Sequence, residues 1–185
     1  MQATLTLPDR ALSRIDIALG DLVLGTSARL VFAGVLFMYY WNSALTKVGD
    51  GVFGLFQPSA SAYIQIFPQA VEAVGYDVSQ LSIVHWAVVV AGTWAEFLLP
   101  VLLVIGLFTR LAALGMIGFI FVQSIVDITG HGVAEADIGA WFDGASGALI
   151  MDQRAFWVFL LLYLVFKGGG PLSMDRLLPN AKDVG

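Results

Sequence analysis

Apolar residues in this chain run on without the polar face that a water-exposed helix shows every three or four positions. Four such runs approach the roughly 20 residues needed to cross a bilayer. They fall at about Leu22–Thr46, Ser82–Leu107, Leu111–Val126 and Gln153–Lys167. The last two are short for a span, a mismatch that neighbouring helices or a thinner bilayer would absorb. The second and third runs are separated only by "FTR". Glycines at 34, 92, 106, 115 and 118 would let helices approach closely. Upstream, Leu12, Ile15, Leu19 and Leu22 recur at helical spacing, with Arg10, Arg14 and Asp21 elsewhere on the wheel. That pattern predicts an interfacial helix over about 9–23.

The pattern predicts an all-α fold: an integral membrane four-helix bundle with an N-terminal interfacial helix and two longer outer loops. The domain division is 1–21 for a cytoplasmic amphipathic segment, 22–178 for the membrane domain and 179–185 for a tail. The first long loop, over 48–81, carries many apolar residues and predicts a short helix near Ala60–Val74, limited by Pro68. The second, over 127–152, is acidic and glycine-rich.

Charge then sets a direction. Arg10, Arg14, Arg110, Lys167, Arg176 and Lys182 fall on one side of the spans, and only Lys47 and Arg154 on the other. By the positive-inside rule both termini are cytoplasmic. Trp41, Trp86, Trp141 and Trp157 fall near the expected outer interface, and Trp94 is expected deep. Composition agrees: 58% of residues are hydrophobic and 12% charged, about half the charge of a soluble domain. A net charge of −5 argues against nucleic acid as a partner. With no cysteine, the chain carries no disulfide, thiol chemistry or thiolate metal site of its own.

Against this background Glu96 stands out, because a carboxylate near the bilayer midplane costs about 2.5–3.5 kcal/mol or more. Arg29, two turns into the first run, is its expected partner. The pair is either a clamp between helices or a proton-active site. His85 shares a helical face with Glu96 but lies about 16 Å along the axis, too far for contact. A second expected grouping lies near the outer interface, where Tyr39, Tyr40, Asn42 and Lys47 would meet Gln123, Ser124, Asp127 and His131, with His85 nearby. Such an aromatic pocket with cationic and imidazole donors fits a quinone head group, although no short motif defines one. The spacing of Asp127, His131, Glu135, Asp137 and Asp143 matches no calcium loop, so no metal is expected.

Three stretches resemble the DoxX family of small four-helix membrane proteins. They are "AEFLLPVLLVIGLFTRLAALGMIGF" (95–119), "ARLVFAGVLFMYYWNSALTK" (28–47) and "GGGPLSMDRLL" (168–178). Together with the span pattern, the likeness covers essentially the whole chain. It implies a four-helix bundle of the bacterial inner membrane. Some members of that family are subunits of a thiosulfate:quinone oxidoreductase, and others belong to thiol-handling membrane complexes. The family positions are Arg29, Lys47, Glu96, Arg110, Ser173 and Asp175, none with an assignable catalytic role. Related quinone-linked thiol oxidoreductases use cysteines, which this chain lacks.

Two functions are therefore expected. The first is an accessory or assembly subunit of a redox-related membrane complex, with no redox centre of its own and with other membrane-protein subunits as partners. The second is a quinone-binding oxidoreductase subunit. A small transporter using Glu96 is the weakest alternative, because no inverted repeat is visible.

Overall fold

The computed structural model describes residues 23–177. The interfacial helix over 9–23 and the 1–21 and 179–185 segments fall outside the described residues, but for position 23. Four long helices build the molecule: α1 (Val23–Lys47), α4 (Ile83–Ile105), α5 (Thr109–His131) and α7 (Leu149–Lys167). Each is long and apolar enough to cross a membrane, the architecture of a multi-pass membrane protein. Between α1 and α4 lie α2 (Ala60–Ile66) and α3 (Pro68–Ala73), and between α5 and α7 lies α6 (Glu135–Ile138). There is no strand among the described residues.

The long helices run alternately up and down. One end of the bundle gathers Arg29, Gly106, Thr109 and Ser173, and the other gathers Lys47, the α2–α3 connection and His131. On α1, Ala28, Phe32, Leu36, Tyr40 and Ala44 are all buried at a constant spacing of four. A regular helix would rotate this row by about 40° per step. The wider π turn at Ala33–Phe37 takes up part of that drift and keeps the row facing inward. It packs against Leu103 of α4, Ala112, Ala113, Met116, Ile117 and Ile120 of α5, and Leu161 and Leu164 of α7.

The third and fourth helices are longer than the apolar runs at 111–126 and 153–167. π turns at Val126–His131 and Leu149–Gln153 add the missing length. These segments contain Asp127, Gly130, Asp152 and Gln153, so an apolar count stops short of them.

The 106–108 link is closed by a left-handed turn. Gly106 has φ 72°, and its N–H donates to the carbonyls of Leu102 and Leu103, the usual use of glycine after a helix. Pro68 divides the predicted 60–74 helix, ending α2 at Ile66 and opening α3. Further along, the Asp77 carboxylate accepts from the side chains of Ser79 and Gln80 and from the Ser79 N–H. These bonds favour the charged form and hold its carboxyl below the usual range.

Candidate functional site

Glu96 and Arg29 do not meet. Arg29 lies at the opposite end of the bundle and spends its donors on backbone carbonyls. Nε donates to Leu103 O (2.9 Å), Nη1 to Gly169 O (3.0 Å) and Leu172 O (3.1 Å), and Nη2 to Val104 O. These carbonyls lie at the end of α4 and in the chain after α7, where helical partners run out. A cation there also complements the helix dipole. Arg29 therefore pins α1 to two chain ends, and the expected charge pair is corrected.

The partner of Glu96 is Lys47. Lys47 Nζ lies 2.9 Å from Oε2 and 3.1 Å from Oε1 of Glu96. Both side chains are about 5% exposed. Ser43, one turn before Lys47, completes the cluster. Its carbonyl and hydroxyl accept from Nζ at 3.2 and 2.8 Å, and its hydroxyl donates to Glu96 Oε1 at 3.2 Å. The ammonium is saturated, but Glu96 Oε2 takes no hydrogen bond of proper angle among the described residues.

This pairing depends on an offset that the sequence does not display. Glu96 lies thirteen positions into α4, about 20 Å from its start, whereas Lys47 is the last residue of α1. The helices meet at this level because α4 continues well past the end of α1. Above Lys47 the place of α1 is taken by α2. The Ser59 N–H donates to Lys47 O, and the hydroxyls of Ser59 and Ser61 to Thr46 O. The last carbonyls of α1 are thereby capped. Trp94, midway along α4, has its ring 5.7 Å from Phe56 of the connection.

Beside the pair opens a cavity of about 450 Å³ between α1, α2, α4 and α5. Its walls are apolar or small, including Ile66, Val88, Gly92, Leu99, Phe119 and Val122. A side chain placed at Gly118 would meet nothing within 4 Å, whereas at Gly115 it would press on Leu99. Among the cavity's glycines, Gly118 thus leaves space, whereas Gly115 lies close to Leu99 and Gly92 is in contact range of Ile66. Val88, Ala91, Gly118 and Val122 line the cavity and are exposed on the outside of the bundle. The cavity therefore opens sideways, between α4 and α5, toward the surface that faces lipid.

Lys47, Gln123, Asp127 and His131 all line this cavity together with Glu96 and Gln65. His131 Nε2 lies 3.0 Å from Gln65 O, tying the end of α5 to α2. Tyr39 stands just behind, its hydroxyl accepting from Gln123 Nε2 at 2.9 Å. Gln123 Oε1 is buried without a donor among the described residues. Asp127 pairs with the buried Arg154 of α7, whose guanidinium also donates to Ser124 Oγ at 2.8 Å. Two expected members are elsewhere. Tyr40 is wholly buried in the core, edge-on to Phe119. His85 bonds Ser82 Oγ at 2.8 Å and packs on Phe67, away from the cavity.

Sequence reasoning did not single out Ser43, and it read Arg154 only as a cation at a span end. Each stands one helical turn or one facing helix from a charged residue, a signal visible only once the register is known. Among the described residues, no group of three or more potential ligands could hold a metal.

The molecule is thus an all-helical membrane-type bundle with a buried lysine–glutamate pair beside a laterally open apolar cavity. No known protein family matches the chain, and no characterised protein or solved structure shows significant similarity to it.

Proposed function

We propose that this chain is a membrane subunit that binds a lipophilic, hydroxyl-bearing ring of the quinone/quinol class in the cavity beside Lys47 and Glu96. The observation that carries this reading is the site's combination of features: apolar walls, an opening toward lipid and a polar end. A ligand that partitions into the bilayer would enter between α4 and α5 without crossing water. At the polar end, Gln123 Oε1 is buried without a hydrogen-bond donor among the described residues, and Glu96 Oε2 has only the Lys47 ammonium beside it. A buried acceptor left unpaired costs about 1–3 kcal/mol. The reduced form of such a ring, with two hydroxyl donors, suits them better than the carbonyls of the oxidised form.

A quinone/quinol couple supplies two-electron, two-proton chemistry when bound. The chain's own part would be to orient the ring and to accept a proton at Glu96 Oε2. Lys47 holds Glu96 in place and compensates its charge. Electrons would pass to a partner subunit, in keeping with the resemblance to the DoxX family and its quinone-linked members. The cation-rich Arg29 end supports an N-in, C-in orientation in a bacterial inner membrane.

The test is titration of a quinol analogue into the full chain in lipid nanodiscs. Gly118→Leu should fill the cavity from a position with free space and weaken binding about tenfold or more, while the helix content stays native. Equal affinity of Gly118→Leu and the native chain would remove the cavity from the account.

A second reading is the accessory or assembly subunit. Val52, Phe53 and Phe142, all off the spans, are 96%, 66% and 103% exposed. Apolar side chains presented in this way suit burial against another membrane subunit.

A further inference from the structure

The opposite end of the bundle has a cleft of about 980 Å³, formed where α5 begins and α7 ends. Its charged lining is Arg110, Lys167, Arg176 and Asp175. Three cations face one acid, in a chain whose net charge is −5. The acid is already engaged: Asp175 Oδ2 accepts from the Thr109 N–H at 3.0 Å, capping α5. The exposed guanidiniums of Arg110 and Arg176 have no hydrogen-bond or ion-pair partner among the described residues. Arg29, beneath, is saturated by carbonyls. The wholly buried Thr109 hydroxyl, which also borders the cleft, likewise has no hydrogen-bond partner among the described residues.

The remaining walls indicate what kind of anion fits. Leu111 and Phe166 line the same cleft and are 69% and 72% exposed. Both lie within one turn of a span end, on the surface that meets lipid. A cationic pocket continuous with exposed apolar side chains at a span end matches the two halves of one molecule.

We propose that this cleft holds the phosphate headgroup of an anionic phospholipid between Arg110 and Arg176, with its acyl chains lying along Leu111 and Phe166. Lys167 adds to the field, and Asp175 fixes the wall rather than repelling the ligand, because its charge is shared with the α5 N-terminus. The site is separate from the cavity at Lys47 and does not depend on what that cavity binds.

Native mass spectrometry of the full chain, purified in mild detergent and offered phosphatidylglycerol and phosphatidylcholine of identical acyl chains, tests this. Phosphatidylglycerol adducts should exceed phosphatidylcholine adducts about tenfold, as expected when two arginines contact an anionic headgroup. The double variant Arg110→Gln/Arg176→Gln should bring the ratio close to one. Both side chains are exposed and have no partner among the described residues, so the fold should be unaffected. Inorganic phosphate, compared with chloride at equal ionic strength, should not displace the lipid. Equal retention of the two lipids by the native chain would overturn the proposal. So would an unchanged ratio in the double variant. Displacement by inorganic phosphate would overturn it in favour of a free-phosphate site.

Discussion

Lys47 and Glu96 are each tolerable in this bundle only because of the other. Two charges about 5% exposed lose most of their hydration, and their attraction repays this only when geometry and extra hydrogen bonds are good. Ser43 supplies those bonds on both sides. Removing one charge strands the other, so Lys47→Met should destabilise the protein by about 3–5 kcal/mol. Adding Glu96→Gln should restore a large part of that loss, because no uncompensated charge remains. Unfolding of the two variants and the native chain in mixed detergent measures both. A double variant no more stable than Lys47→Met would mean that the pair is not coupled. Arg29 is a different kind of buried charge. Its hydrogen bonds go to dipoles rather than to a carboxylate, and its four carbonyl contacts make it an architectural residue.

At the level of elements, the chain's pattern tells much about the helices and little about their register. The four apolar runs located the four long helices to within a few residues, except where π turns extend α5 and α7 through polar positions. The break at Pro68 was legible because a proline cannot continue a helix from the preceding turn. The partner of Glu96 was not. Hydropathy gives each span its own midpoint, and Glu96 was matched to a cation by depth from the assumed membrane surfaces. The connection over 48–82 instead lets α4 run on past α1, and α2 stands where α1 stops. That offset comes from hydrogen bonds such as Ser61 to Thr46, which no periodicity encodes. Lys47, Gln123, Asp127 and His131 were legible as a polar group at one end of the bundle, whereas the space beside them, left open at Gly118, was not.

The turn between α4 and α5 supports a prediction at this scale. Gly106 has φ 72°, and a Cβ there would lie 2.6 Å from both the Arg29 guanidinium carbon and Ser173 Cβ. Gly106→Ala should therefore cost more than the roughly 1 kcal/mol of an ordinary left-handed alanine, since it also displaces Arg29 from the carbonyls it holds. A thermal midpoint equal to that of the native chain would show that the Arg29 end is looser than described.

The whole molecule has two unlike ends. One carries the cavity, the Lys47–Glu96 pair and the helical connections, and the other carries Arg29 and a cation-lined cleft. By the positive-inside rule, the asymmetry of lysine and arginine predicts that the cleft end faces the cell interior. Because the chain has no cysteine, a single introduced one reports topology cleanly. Gly132→Cys, in the connection after α5, should react with a membrane-impermeant maleimide in intact cells. Gly169→Cys at the other end would clash with Thr109 and Ser173, so Leu172→Cys, an exposed position, is the inside control and should react only after permeabilisation. The reverse pattern would invert the molecule and place the proposed lipid site in the outer leaflet.

The central claim is that the cavity beside Lys47 and Glu96 receives a ring of the quinone/quinol class from the bilayer. Its most direct test is photo-crosslinking of the nanodisc-embedded chain with an azido-quinol, followed by peptide mapping. The account predicts adducts concentrated on the facing stretches of α4 and α5, over 88–99 and 115–126, and suppressed by unlabelled quinol. Adducts spread over the lipid-facing surface and indifferent to that competitor would contradict it.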